Sequence, residues 1–196
     1  MVSAGDALVI VDVQNDFCPG GALAVPDGDA VVGVLNRYAE RFAAAGAPIF
    51  ATRDWHPART RHFKAWGGAW PPHCVQGTPG AEFHPRLVLP PSTEVVSKGQ
   101  DPEADAYSAF QGTTADGTAF AAALRRRGVR RLFVGGLATD YCVKATALDA
   151  LQQGFDVVVL EDAVRAVDVA PGDGERALAA LRAAGARMGR LEEVAA

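Results

Sequence analysis

A cysteine closes the stretch Leu132-Phe133-Val134-Gly135-Gly136-Leu137-Ala138-Thr139-Asp140-Tyr141-Cys142, an apolar run that passes through a glycine-rich turn and delivers its thiol to an expected helix start. A helix N-terminus offers unpaired N–H groups and a partial positive charge. Together these lower a thiol pKa from about 8.5 toward neutrality and stabilise an adjacent oxyanion. An isolated cysteine at such a place reads first as a small core residue, so its partners decide the matter. Asp12 directly follows Val9-Ile10-Val11, and Lys98 closes Glu94-Val95-Val96-Ser97. Each alone reads as an ordinary strand end. Lys98, however, is one of three lysines in a chain with sixteen arginines, as expected where a compact, titratable ammonium is wanted. Cys142 as nucleophile, Asp12 as proton acceptor and donor, and Lys98 holding the anions in register form a set suited to acyl transfer. N–H groups near Ala138 and Cys142 would complete it as an oxyanion hole.

A second constellation lies between them. Asp54-Trp55-His56 carries two ligand-type side chains two positions apart, His62 lies six further on, and His73 follows Trp70-Pro71-Pro72. Surface loops collect such residues by chance, but four in one proline-stiffened loop point to a metal site. One carboxylate with imidazoles suits one divalent ion, zinc, iron or manganese, and does not by itself choose among them. His84, in Glu82-Phe83-His84-Pro85, reads as structural.

Positioning these groups requires strands ending on a common edge. A helical pattern, a glycine and a short apolar run recur four times, with Gly46, Gly128, Gly154 and Gly185 as helix C-terminal caps. The runs that follow are 48–52, 131–135, 155–160 and 186–189. With 7–11 and 94–97 they predict six strands. Continuous apolar runs such as Leu8-Val9-Ile10-Val11 and Val157-Val158-Val159-Leu160 mark strands buried on both faces. The expected fold is therefore α/β, a single-domain Rossmann-like three-layer arrangement whose parallel sheet is flanked by helices on both faces. Val31, Val34, Leu35, Tyr38 and Phe42 give the first helix its core stripe. Residues 53–93 break the rhythm, holding all four histidines and all three tryptophans without sustained periodicity, and form an expected binding loop leaving a strand C-terminus.

At 196 residues and 49% hydrophobic the chain fits one domain, 1–196. A net charge of −4 with scattered arginines excludes a nucleic-acid binder; Arg125-Arg126-Arg127 reads as a helix C-terminus. Three cysteines without CxxC spacing argue for reduced thiols. No basic segment precedes the first apolar run and Asp12 interrupts it, so neither signal peptide nor membrane span is expected and the chain is placed in the cytoplasm. The expected partner is a small molecule, with no nucleic acid and no membrane. Monomer and homo-oligomer both remain open.

Nearly end to end, these segments resemble the nicotinamidase/pyrazinamidase branch of the isochorismatase-like cysteine hydrolases. The resemblance rests on Ile10-Val11-Asp12-Val13-Gln14-Asn15-Asp16-Phe17, Asp54-x-His56, Trp70-Pro71-Pro72-His73-Cys74 with Gly77-Thr78-Pro79-Gly80, Lys98-Gly99, and Gly136-Leu137-Ala138-Thr139-Asp140-Tyr141-Cys142-Val143, in that order. It implies a six-stranded parallel sheet and hydrolysis of nicotinamide to nicotinate and ammonia, a step of NAD salvage, with pyrazinamide as a further substrate. By motif, Asp12, Lys98 and Cys142 would be the catalytic triad, Ala138 and Cys142 the oxyanion hole, and Asp54, His56, His62 and His73 the ligands of a metal that holds the ring nitrogen. A cis peptide between Leu137 and Ala138 is implied. Phe17, Trp70 and Tyr107 would enclose the ring, with Leu137 and Tyr141 at its rim. Two departures stand out: Tyr141 where histidine is also seen, and the unusually acidic Asp101-Pro102-Glu103-Ala104-Asp105-Ala106-Tyr107. Alternatives are an amidase for a carbamoyl or ureido compound, a vinyl-ether hydrolase, a metallohydrolase using metal-bound water, and a non-catalytic binding protein.

Overall fold

The computed structural model describes residues 2–194. Its parallel strands are β1 (Asp6–Val11), β2 (Ile49–Asp54), β3 (Glu94–Lys98), β5 (Arg131–Leu137), β6 (Asp156–Arg165) and β7 (Arg187–Gly189), with a two-residue β4 (Thr113–Thr114) between the third and fourth of these. The sheet order is β4-β3-β2-β1-β5-β6-β7. The six expected strands are all present; the correction is β4, which pairs antiparallel with β3 and caps that edge. Two residues are too few to carry an alternation signal, so a sequence pattern could not reveal it. β2, β5 and β6 also run further than expected. Asp54 is consequently the last residue of a strand and not the start of a loop.

Strand order reverses direction at β1. From there the chain steps one way to β2 and β3 and, later, the other way to β5, β6 and β7. Right-handed crossovers in opposite directions put their helices on opposite faces. Accordingly α1 (Val31–Ala44) covers one face, packing Leu35, Tyr38 and Phe42 against Leu8, Ile10, Ile49 and Phe133. The other face carries α2 (Phe120–Arg126), α3 (Lys144–Gln152) and α4 (Asp173–Ala183), packed through Phe120, Leu124, Ala147, Ala150 and Leu181 against Val9, Phe50, Leu132 and Val134. Residues of β1 alternate between the two cores, and all six are buried, which is why its sequence is apolar without a period.

The start of the central pair is fixed by charge. Arg131 donates from Nε and Nη2 to the two carboxylate oxygens of Asp6, at 2.8 and 2.7 Å, in the register Asp6↔Arg131. The Ser3 N–H and hydroxyl donate to the same Asp6 Oδ2. Burial alone would raise the Asp6 carboxyl, but these bonds outweigh it and hold it below the usual carboxylate range. Further along, Gly136 lets β5 approach β1: a Cβ there would lie 2.1 Å from the Val11 carbonyl oxygen, and its φ of +123° excludes other residues.

Gly136→Ala is expected to destabilise the fold by more than about 3 kcal/mol, whereas Gly46→Ala, at a helix cap with open space, should cost about 1 kcal/mol; urea unfolding of both variants compares them. Asp6→Ala should cost about 2 kcal/mol at neutral pH. Because the folded carboxyl is depressed, that stabilisation is full above the unfolded value near 4 and fades as pH falls through the folded one. The gap between variant and wild type in thermal melts should therefore close below about pH 4.

Candidate active site

Asp12, Asp54, Lys98 and Cys142 meet at the C-terminal edge of β1, β2, β3 and β5, beside the point where strand order reverses. Crevices at such points are where open α/β sheets bind ligands. Asp12 leaves β1 with φ of +50°, a left-handed turn that aspartate tolerates better than most residues. Its N–H donates to the Thr52 carbonyl, and the Thr52 hydroxyl donates to Asp12 Oδ1 at 2.6 Å. The Lys98 Nζ lies 2.8 Å from Asp12 Oδ2, donates to Asp54 Oδ1, and stands 3.5 Å from the Cys142 Sγ. All four side chains are buried.

Burial of this set shifts every member. Burial raises Asp12, and the neighbouring Asp54 adds to the rise, against the pull of Lys98. Burial would also raise Asp54, but Lys98 outweighs it and holds that carboxyl well below the usual range. Lys98 is raised well above an ordinary lysine: burial works against its charge, and the two carboxylates win. Cys142 corrects the expectation from sequence. Burial pushes its thiol well above the ordinary value, with Asp12 and Asp54 adding to the effect and Lys98 opposing it. It also lies within a five-residue π-helical turn, Thr139–Val143, ahead of α3 and not at that helix's first residue. Burial thus favours the protonated thiol. In the turn, the Ala138 carbonyl accepts from the N–H groups of Tyr141 and Val143, and the Leu137–Ala138 peptide is cis, as the resemblance implied.

Past Asp54 the four expected metal ligands come together. One ligand atom each from His56, His62 and His73 lie within 4.8 Å of one another. Asp54 Oδ2 is 3.5 Å from His56 Nε2 and 3.8 Å from His73 Nε2. The Nδ1 atoms are engaged elsewhere: His56 donates to the Gly99 carbonyl at 3.0 Å, His73 to the Pro71 carbonyl at 2.8 Å, and His62 to Asp105 at 2.6 Å. Carbonyl and carboxylate oxygens only accept, so each Nδ1 carries the proton and each Nε2 presents a lone pair. His56 Nε2 is buried without a hydrogen-bond partner. Lone pairs converging with a carboxylate oxygen in a buried space repel unless a cation lies among them, so these residues fit a divalent ion. Gly99 permits the approach: a Cβ there would sit 2.5 Å from the His56 ring.

A cleft above this edge is lined by Phe17, Trp70, Tyr107, Leu137 and Tyr141, together with Cys142, Ala138, His62, His73 and Asp54. The Trp70 indole donates to the Tyr107 hydroxyl at 3.0 Å, and the Trp70 and Tyr141 rings meet edge-on at 5.0 Å. Asp12, Lys98 and His56, also expected at the site, are buried and are not among these lining residues. Several more were not anticipated. Leu23, Val25 and Val167 also line the cleft, and nothing local in the sequence marks them. Gln14 donates to the carbonyls of Asp54 and Ala81 and accepts from the Asp54 N–H, all within 2.9 Å, stapling β2's end to the loop. Its position inside the Asp12–Phe17 segment was the available signal. His84 lies outside the cleft and its Nδ1 accepts from the Arg86 N–H, a structural role.

The Isochorismatase domain matches residues 6–193. The nicotinamidase of Escherichia coli (strain K12) is 42% identical over 208 residues, covering 95% of each chain. Among solved structures, the pyrazinamidase of Pyrococcus horikoshii in complex with zinc superposes with a TM-score of 0.88 at 47% identity, covering 95% of this chain and 99% of that one. PnC1 from L. infantum in complex with nicotinate gives 0.86 at 39% identity, covering 98% and 96%. With so much of its length matched in sequence and in backbone, this chain belongs to the isochorismatase family of hydrolases.

Proposed function

We propose that this protein hydrolyses nicotinamide to nicotinate and ammonia, as a step of NAD salvage in the cytoplasm, and accepts pyrazinamide in the same cleft. The observation that carries the reading is the buried Asp12–Lys98–Cys142 cluster opening into an aromatic-walled cleft beside Asp54 and three imidazoles. Relatives named nicotinamidase and pyrazinamidase, and a structural neighbour holding nicotinate, support the substrate class.

Phe17, Trp70, Tyr107 and Tyr141 offer flat apolar area for a pyridine ring and exclude water from it. A divalent ion held by Asp54, His56, His62 and His73, zinc being our assignment, supplies a Lewis-acidic partner for the ring nitrogen when bound. Asp12 takes the proton of the Cys142 thiol, and Sγ forms a bond to the carboxamide carbon. The carbonyl electron pair moves to oxygen, where the N–H groups of Ala138 and Cys142 receive it, contributing a few kcal/mol (about 3) if preorganised. The pair returns, the C–N bond breaks, and Asp12 gives its proton to the departing nitrogen as ammonia. Water, deprotonated by Asp12, then cleaves the thioester and releases nicotinate, and the proton returns to Sγ. The raised carboxyl of Asp12 suits it to both directions of transfer. Lys98 holds Asp12 charged and in place until it takes the proton, and then faces the Cys142 thiolate.

Replacing Cys142 by Ala is expected to lower ammonia release from nicotinamide by at least about 10⁴-fold, with metal content measured by elemental analysis unchanged. An active Cys142→Ala enzyme would overturn the cysteine mechanism in favour of metal-bound water. Loss of ammonia release from nicotinamide in the wild-type protein, alongside turnover of a carbamoyl compound, would overturn the substrate.

A further inference from the structure

The three imidazoles are held in different ways. His56 and His73 donate to main-chain carbonyls, of Gly99 and Pro71, so their orientation follows from the path of the chain. His62 instead donates to a side-chain carboxylate 43 residues away, Asp105, at 2.6 Å. The histidine is buried, at 2% exposure, while the aspartate is 62% exposed, so the pair runs from the floor of the cleft to the surface. Asp105 belongs to the acidic segment that set this sequence apart and that the proposed reaction leaves unused.

That segment is itself tied down. The Gln111 side chain donates to the Asp105 carbonyl at 3.1 Å and accepts from the N–H groups of Tyr107 and Ser108, at 2.9 and 3.0 Å. The Arg61 N–H donates to the Pro102 carbonyl at 2.8 Å. Tyr107, two residues beyond Asp105, is a wall of the cleft, and its ring lies 5.6 Å from that of His62. One carboxylate thus joins a candidate ligand to the chain that carries the aromatic wall.

We propose that Asp105 is a positioning residue for the metal set: it fixes the His62 tautomer, aims Nε2 inward, and ties that imidazole to the Tyr107 wall. The proposal rests on the reading of Asp54, His56, His62 and His73 as ligands. An accepting carboxylate holds the proton on Nδ1 and raises the donor strength of Nε2, and such partners typically contribute about 10- to 100-fold in metal affinity. A merely exposed ion pair would contribute almost nothing. Because His56 and His73 have no such partner, the effect must pass through His62 alone.

The test is zinc affinity of metal-stripped protein, measured by competition with a chromophoric chelator, for wild type, Asp105→Ala, Asp105→Asn, His62→Ala and the Asp105→Ala/His62→Ala double variant. Asp105→Ala should bind zinc about 10- to 100-fold more weakly than wild type, with Asp105→Asn between them, since the amide oxygen still accepts but carries no charge. In the His62→Ala background the Asp105 change should alter affinity less than about two-fold. Asp105→Asn keeps the shape of the loop and decides the matter if the alanine variant melts early without metal. Wild-type affinity in both single Asp105 variants, or an equal loss with and without His62, would overturn the proposal while leaving the ligand set standing. A wild-type protein that does not bind zinc would overturn both.

Discussion

An ammonium with no access to water sits at the centre of this protein, and the surrounding architecture answers to it. Lys98 is buried at the end of β3, where solvation is lost and a charge survives only if paired. Its partners, Asp12 and Asp54, come from the ends of β1 and β2, so the pairing requires β1, β2 and β3 to lie side by side and to end level. The register Asp54↔Lys98 and Val11↔Thr52 supplies that. Removing Lys98 would leave two carboxylates uncompensated in a low-dielectric space, which ties the fold to the chemistry of its sheet edge.

The same pairing divides labour between two carboxylates of one chemical type. Lys98 contacts both, yet their environments push them apart. Asp54 is held ionised by Lys98, which suits a ligand; Asp12, buried beside the negative Asp54, is raised, which suits a proton carrier. Two groups separated in this way are a usual mark of assigned acid, base and charge-holding roles.

Glycines and loop contacts set how closely the parts approach. Gly136 brings β5 against Val11, next to Asp12, and Gly99 admits the His56 ring. Gln14 spends its whole amide on holding the end of β2 to the loop, so the loop that carries His56, His62 and His73 is anchored at its root. A long irregular segment can hold ligands in register only when its backbone groups are satisfied in this way.

Read alone, the chain yielded the six parallel strands and the helices on both faces, and it marked as candidates the residues that folding gathers at one sheet edge, because apolar runs, glycine caps and chemically loaded side chains are local signals. Composition and motif order sufficed for these. It did not yield β4, too short to carry a period, nor the length of β2 that makes Asp54 a strand residue. It misjudged the thiol: a helix start argues for a lowered pKa, but burial beside two carboxylates, which only folding brings about, reverses the sign. Asp105 is the plainest case. In sequence it is one acid in an acidic stretch, and its bond to His62 spans 43 residues, so only the tertiary structure could single it out from Asp101 and Glu103.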